Sequence, residues 1–562
     1  MSDALVHPLA PIRQSDEERT FPHLNEAQIA KLAASGRTRA ILRDETLIRV
    51  GERTSVFFVV LSGEVTILHP GPRGHDLVVA HGPGQFTGEV SLLSGQPSLV
   101  EARVTQGGEV VEIDRVRLLE IVQRDAAMGE LLLRAFILRR TQLVASGLGD
   151  VVVVGSRHCP GTLRVREFLE RNGHPYTMVD LDSDTDVQSL LDRFLITPGD
   201  IPVLICRGEH VLRNPSNSEI ADCLELNEPT AGGRLLDLVV VGAGPAGLSA
   251  AVYAASEGLD VMVVESRAPG GQAGASSKIE NYLGFPTGIS GQALASRALT
   301  QAQKFGASVL VGRTAARLEC HDRSYVIHLD AEGALVRARS VVIATGARYR
   351  KPVLEGLARF EGLGVYYAAT FMEAQGCAGQ DVLVIGGGNS AGQAAVFLAE
   401  TARRVHLLVR GADLAATMSR YLIRRIEDHP RIELHLRMEL LALEGDSHVA
   451  RATWRSTAQV AEESHSIQHV FVMTGAQPAT SWLDGKYIAL DAKGFIKTGP
   501  DLGRDDLNRS RWSRARAPYL LETSSPGIFA VGDVRSGNVK RVASAVGEGS
   551  IALALVHRVL TE

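Results

Sequence analysis

The run Leu238-Val239-Val240-Val241-Gly242-Ala243-Gly244-Pro245-Ala246-Gly247 decides the fold of the larger part of this chain. An apolar strand enters a glycine cluster, an alanine-rich helix leaves it, and a second strand, Val261–Val264, follows and ends in Glu265. In such a strand–turn–helix unit Gly242 permits the tight turn. Gly244 lets the backbone approach a pyrophosphate, and Gly247 lets helix and strand pack. Glu265 lies 23 residues after Gly242, the spacing at which an acid accepts hydrogen bonds from a ribose. The pyrophosphate would rest on the helix N-terminus, where unpaired N–H groups point outward.

The pattern recurs, imperfectly, as Val382-Leu383-Val384-Ile385-Gly386-Gly387-Gly388-Asn389-Ser390-Ala391. Two dinucleotide-binding halves on one chain is the simplest reading, with Gly386, Gly388, Asn389 and Ser390 at the second site. Its second strand, Val405–Val409, ends not in an acid but in Arg410. An acid would repel a 2′-phosphate and an arginine can bond it, so this half favours NADPH over NADH. The plainer alternative is a solvated surface arginine, since Arg403 and Arg404 are close by.

These residues carry a resemblance. The stretch 236–562 resembles the low-molecular-weight thioredoxin reductase family of flavoproteins. The matching segments are Gly270-Gly271-Gln272, Ile279-Glu280-Asn281-Tyr282, Ala344-Thr345-Gly346, Thr474-Gly475 and Phe529-Ala530-Val531-Gly532-Asp533. The resemblance implies FAD in the first half, with Gly532 and Asp533 at the ribityl chain and Gln272, Asn281 and the Arg541–Ala543 segment lining the flavin. It also implies a homodimer and a nicotinamide domain inserted into the FAD domain. One departure stands out. The family carries a Cys-x-x-Cys just before the second glycine cluster, and here Ala368 and Phe371 occupy those places. Cys377 is the nearest thiol, single and read as structural.

Between Val151 and Asn227 the pattern is strand, helix, strand, with a valine strand at Val151–Val154 and a helix at Pro160–Arg171. This unit resembles a glutaredoxin/thioredoxin-like domain. Cys159 precedes Pro160 at a helix start, where the helix dipole favours a thiolate. Asp200-Ile201-Pro202-Val203 resembles the family's cis-proline strand, and Thr162 stands where a dithiol protein has its second cysteine. Monothiol chemistry at Cys159 and a domain retained for packing both remain open.

Residues 20–145 read as short strands, Ser55–Leu61, Glu64–Leu68 and Leu77–Ala80, closed by a helix over Val116–Val144. They resemble a cyclic-nucleotide-binding domain. Phe86-Thr87-Gly88-Glu89-Val90-Ser91-Leu92-Leu93 is similar to its phosphate-binding cassette. Gly88 and Glu89 are in place for a ribose, but Ser98 stands where the family has its phosphate-binding arginine. Without a cation there, either weak cyclic nucleotide binding or an unliganded regulatory or dimerisation role is expected.

Composition bounds the rest. Lys plus Arg is 59 and Asp plus Glu is 64, which argues against nucleic acid and anionic membrane as partners. Glycine, 56 of 562 residues, is in excess, as tight turns and close backbone–ligand approaches require. Five cysteines with no closely spaced pair suit a reducing cytoplasm. The uncharged runs Leu238–Ser256 and Val382–Ala399 are interrupted by glycine clusters, so both read as strand–turn–helix rather than membrane spans.

The expected fold is therefore multidomain: an N-terminal β-roll with helices, a central α/β thioredoxin-like domain, and C-terminal α/β tandem dinucleotide-binding (two Rossmann-like) domains. The boundaries read as 1–148, 149–228, a linker at 229–234, an FAD-binding domain in two parts at 235–352 and 480–562, and an NADPH-binding domain at 353–479. The expected activity is passage of hydride from NADPH to FAD and on to an acceptor the sequence does not identify. Two alternatives stand beside it: a redox- or NADPH-sensing signalling protein with slow turnover, and a thioredoxin reductase proper, which Ala368 and Phe371 contradict.

Overall fold

The computed structural model describes residues 17–562 apart from 54, 72–73, 146–150, 157–158, 182–199, 207–209, 229–232, 322–323, 331–333, 368, 370, 447 and 458–461. The decisive run folds as strand Leu235–Val241 followed by helix Pro245–Ser256. Leu238 through Val241 are all buried, and each such side chain contributes about 1.5–3 kcal/mol of burial. The strand lies between Val261–Glu265 and Leu335–Ile343, parallel to both. Among the described residues this sheet has seven strands. Ser308–Val311 lies at one edge, the antiparallel pair Ser324–Leu329 and Ala315–His321 at the other, and Ile528–Ala530 returns from the far end of the sequence.

The second run repeats the unit as strand Asp381–Ile385 and helix Asn389–Leu398. It sits in a five-stranded parallel sheet ordered Val365–Tyr366, His469–Val472, Asp381–Ile385, Arg404–Val409, Ile432–Leu436. A three-stranded antiparallel sheet, Met438–Glu444, Arg451–Ser456 and Glu462–His465, accompanies it. Helix Val542–Thr561 is long and apolar enough to cross a membrane by length and composition. Its Ala552, Leu553 and Val556 are buried in one cluster with Ala250 and Ala251, and Ser249 Oγ donates to Val546 O at 2.8 Å. A Cβ on Gly549 would fall 2.3 Å from Ala246 O, so the two helices touch backbone to backbone.

The central unit is a four-stranded sheet ordered Thr177–Asp180, Val151–Gly155, Val203–Cys206, His210–Arg213, with helices Pro160–Arg171 and Asn217–Cys223. Here the cysteine expectation is corrected. Cys206 and Cys223, 17 residues apart in sequence, form a disulfide, because Cys206 ends a strand and Cys223 ends the helix packed on it.

In the N-terminal unit two expectations are refined. Ser55–Leu61 and Glu64–Leu68 belong to one strand, Val56–Gly71, which shifts register around Ser62 and Glu64 with Gly63 at φ +84°. A bulge bends the strand there instead of ending it. The single helix expected over Val116–Val144 is two, Arg115–Arg124 and Ala126–Ala145. Asp125 breaks it by turning its carboxylate to accept from Met128 N at 3.1 Å, the local competition that makes Asp a capping residue.

Candidate functional site

At the first glycine loop the three glycines do different work. Gly242 has φ +104°, and a Cβ there would lie 2.4 Å from Ala344 O. A Cβ on Gly247 would lie 1.9 Å from Gly242 O, so helix and strand can meet only without a side chain. Gly244, the N-cap of the helix, is open instead: its Cβ would meet nothing nearer than Gly271 Cα at 3.9 Å. Gly271 closes the other side, where a Cβ would come within 3.0 Å of Gly244 Cα. Two bare backbones thus flank a gap at a helix N-terminus, the shape and polarity a diphosphate requires. Glu265 is buried with both carboxylate oxygens already holding the loop, Oε2 accepting from Ala243 N at 2.7 Å and Oε1 from Arg267 N at 2.9 Å.

Of the other residues expected at the site, Gly532 packs against the helix that leaves this loop. Gln272 donates its Nε2 to Ala347 O, and Asn281 is exposed. Gly532, at φ +73°, donates its N–H to Glu548 Oε2 at 2.7 Å, and a Cβ on it would lie 2.9 Å from Ala246 Cβ. Burial pushes the Asp533 carboxyl up, Lys540 opposes this, and Glu548 adds to it. Arg541 caps the Val542–Thr561 helix, and Ala543 lies in its first turn.

The second loop has the same construction. A Cβ on Gly386 would lie 2.4 Å from Met473 O, whereas one on Gly388 meets only Thr417 O at 3.9 Å. Asn389 Oδ1 accepts from Ser419 N at 2.7 Å and pins the next segment. Arg410 is exposed, one residue past the strand whose Val409 Cγ1 would contact a Cβ on Gly387 at 3.0 Å.

Two contacts that the sequence did not signal join the halves. Arg425 Nη1 pairs with Glu280 Oε2 at 2.6 Å. The Tyr349 phenol, raised by burial, is hydrogen-bonded to Ser390 on the second loop and feels the charge of Asp533 on the first half. Tyr349 packs against the apolar cluster of the second half.

Cys159 is the N-cap of helix Pro160–Arg171, with Pro160 in its first turn. The Ile201–Pro202 peptide is cis, and a Cβ on Gly161 would lie 2.7 Å from Pro202 Cδ, so the proline sits directly over the helix start. Thr162 is fully buried. A Cβ on Gly362, in the loop leading to the second half, would lie 3.0 Å from Pro160. The far end of the helix is docked too: Arg171 Nη2 donates to Gly271 O at 2.6 Å and Asn172 Nδ2 to Arg267 O at 3.0 Å.

In the N-terminal unit Gly88, Glu89 and Ser98 line one cavity. The expectation that it lacks a cation is corrected. Arg139, from the helix rather than the cassette, is buried in its wall, donating to Thr20 O at 2.9 Å, Phe86 O at 3.0 Å and Gly88 O at 2.9 Å. Burial lowers its guanidinium to about 9, opposed by Glu89, so it stays charged at neutral pH. Its Nη2 and Glu89 Oε1 are buried without a hydrogen-bond partner. Ser98 Oγ is turned into its own chain, donating to Val100 O at 2.9 Å. Most of the remaining wall is apolar, including Ile48, Ile67, Val79, Leu92 and Leu143.

His81 shares that cavity, and burial, then Arg139 and His23, lower it to about 3. A histidine kept neutral by the fold takes up a proton only on unfolding, so its contribution is intact above about pH 6.5 and is lost as pH falls towards 3. At pH 5 the loss is roughly 2 kcal/mol. Thermal unfolding at pH 7.5 and pH 5 should show a drop that His81→Gln reduces; an equal drop in both proteins removes His81 as its source.

Two glycine loops, each at a helix N-terminus, define a tandem dinucleotide-binding oxidoreductase. Residues 236–549 match the family described as pyridine nucleotide-disulphide oxidoreductase, residues 38–125 the cyclic nucleotide-binding domain, and residues 151–211 glutaredoxin. A thioredoxin reductase of Treponema pallidum is 32% identical over 321 residues, 56% of this chain and 94% of that protein. A Clostridium pasteurianum protein described as a 34.2 kDa protein in a rubredoxin operon is 27% identical over 58% of this chain and 97% of its own. Among solved structures, thioredoxin reductases of T. acidophilum (28% identity, TM-score 0.52, 58% of this chain and 100% of that one) and Lactococcus lactis (26%, 0.51, 58% and 99%) share the fold. The chain belongs to the pyridine nucleotide-disulphide oxidoreductase family, as a thioredoxin-reductase-like NAD(P)H-dependent flavin oxidoreductase. That family works with FAD and NADPH.

Proposed function

We propose that this protein oxidises NADPH through FAD and passes the electrons to an acceptor other than a cysteine pair of its own reductase region. In this reading Gly242, Gly244, Gly247, Glu265, Gln272, Asn281, Gly532, Asp533, Arg541 and Ala543 hold FAD. Gly386, Gly388, Asn389, Ser390 and Arg410 hold NADPH. The open gap between Gly244 and Gly271, and its counterpart at Gly388, support the fit of both groups. Bound FAD supplies the acceptance of hydride from the nicotinamide and its release to a second acceptor. The chain's own part is to position and to desolvate. The helix N-termini would face the phosphates, and Glu265 fixes the first loop.

The observation that carries the choice of acceptor is the thiol inventory. From Tyr366 to the second loop the sequence holds one cysteine, Cys377. It is fully buried in an apolar cluster, and burial pushes it up to about 11, unfit for thiolate chemistry. The Ala368 position lies outside the described residues, and Phe371 begins helix Phe371–Gly376. Anaerobic titration should stop at one NADPH, two electrons, per flavin, followed by reoxidation with a panel of quinone, metal and disulfide acceptors. Reproducible four-electron uptake that persists after Cys206 and Cys223 are replaced by serine would overturn the reading.

The Arg139 cavity favours one addition: the N-terminal unit acts as a ligand-responsive regulator of this turnover. If it does, the signalling alternative is separated by rate, since a sensor turns over slowly with every acceptor. The domain boundaries given above, a homodimer, a cytoplasmic location, and an electron exit through Cys159 by mixed disulfide belong to the same proposal.

A further inference from the structure

Away from both glycine loops, the strands of the second half gather histidines on one face. Val405, Leu407 and Val409 turn into the apolar cluster beneath helix Asn389–Leu398, and Ile432 and Leu434 pack against it. With a period of two, His406, Glu433 and His435 must project to the opposite face. The parallel register pairs His406 with Glu433, so the three side chains share one patch. His406 Nδ1 lies 3.1 Å from His435 Nε2 and 3.5 Å from Glu433 Oε2, and the three donor atoms all lie within 4.8 Å of one another. A tetrahedral zinc ion with bonds of 2.0–2.1 Å holds its ligand atoms about 3.3 Å apart, between those two spacings.

We infer that His406, Glu433 and His435 form a binding site for a zinc-class divalent cation in the nucleotide-binding half. Two imidazoles and one carboxylate are a donor set such ions accept, and the fourth position is left to water. The surroundings suit it. His406 is buried, and Trp454 packs 5.6 Å from its ring and 5.8 Å from that of His435, while stacking at 4.1 Å on His465. One facing nitrogen carries the proton of the 3.1 Å contact, so that ring changes tautomer to offer its lone pair to an ion. One group competes: Arg404 Nη1 pairs with Glu433 Oε2 at 3.2 Å. Arg404 is mostly exposed, so it can swing into solvent when an ion arrives.

The competition makes the test directional. Full-length FAD-loaded protein is titrated with Co²⁺ at neutral pH, followed by displacement with Zn²⁺. One equivalent should bind with the visible bands of low-coordinate cobalt and without thiolate charge-transfer absorption. His435→Ala and Glu433→Gln, both at half-exposed positions, should weaken it about 10- to 100-fold or more, whereas Arg404→Ala should tighten it. Unchanged FAD content and melting temperature without metal show that the variants are folded. Uptake retained by both ligand variants, thiolate bands pointing to Cys159, or no uptake by either the wild type or Arg404→Ala would overturn the site.

Discussion

Gly244→Val yields a folded protein without yellow colour. The backbone at Gly244 is extended, with φ −70° and ψ −178°, so a branched residue needs no strained conformation there. Its Cβ would point into the gap and meet only Gly271 Cα at 3.9 Å. The substitution therefore costs the protein little and fills the place of the pyrophosphate. Gly247→Ala fails differently. Its Cβ would lie 1.9 Å from Gly242 O, so helix and strand must part and the fold itself suffers. Absorbance of the purified proteins, reconstitution with excess FAD, and circular dichroism separate the two. Stoichiometric FAD in Gly244→Val would mean that the cofactor lies elsewhere.

Arg410→Ala reduces the preference for NADPH over NADH. Of its two neighbouring cations, Arg403 grips Asp381 with bonds of 2.8 and 2.7 Å, and Arg404 lies beside Glu433. Arg410 follows the strand whose last residue, Val409, abuts the second glycine loop. Loss of one charged hydrogen-bond partner is worth roughly 1.5–3 kcal/mol, a 10- to 150-fold change in the ratio of kcat/KM values. Equal use of the two nucleotides by the wild type removes Arg410 from the site.

How much of this was legible in the sequence depends on how local each cause is. The glycine loops were readable because turn, helix start and strand lie within ten residues and each glycine has a steric reason. Cys159 and Pro202 were readable for the same reason, one as a helix cap and the other as an X–Pro bond. The Cys206–Cys223 pair was not, because its sulfurs meet only after strand and helix pack. Arg139 was not legible because the cassette itself holds no cation and this one comes from a helix some fifty residues later. Tyr349 reads as an ordinary strand residue until the fold packs it against the second half. The helix break at Asp125 shows a local signal that a long apolar period conceals.

The hydrogen bond from Arg171 to the carbonyl of Gly271 ties two equilibria together. Gly271 is one wall of the gap beside Gly244, and Arg171 belongs to the thioredoxin-like unit, so the same carbonyl is held from outside while the cofactor would press on it from within. Whatever factor docking of that unit adds to cofactor affinity, cofactor must return to the docking constant. Loading FAD then tightens the attachment of the middle unit, and prying that unit away loosens FAD. Docking of the lone-thiol unit and retention of FAD become two readouts of one free-energy surface.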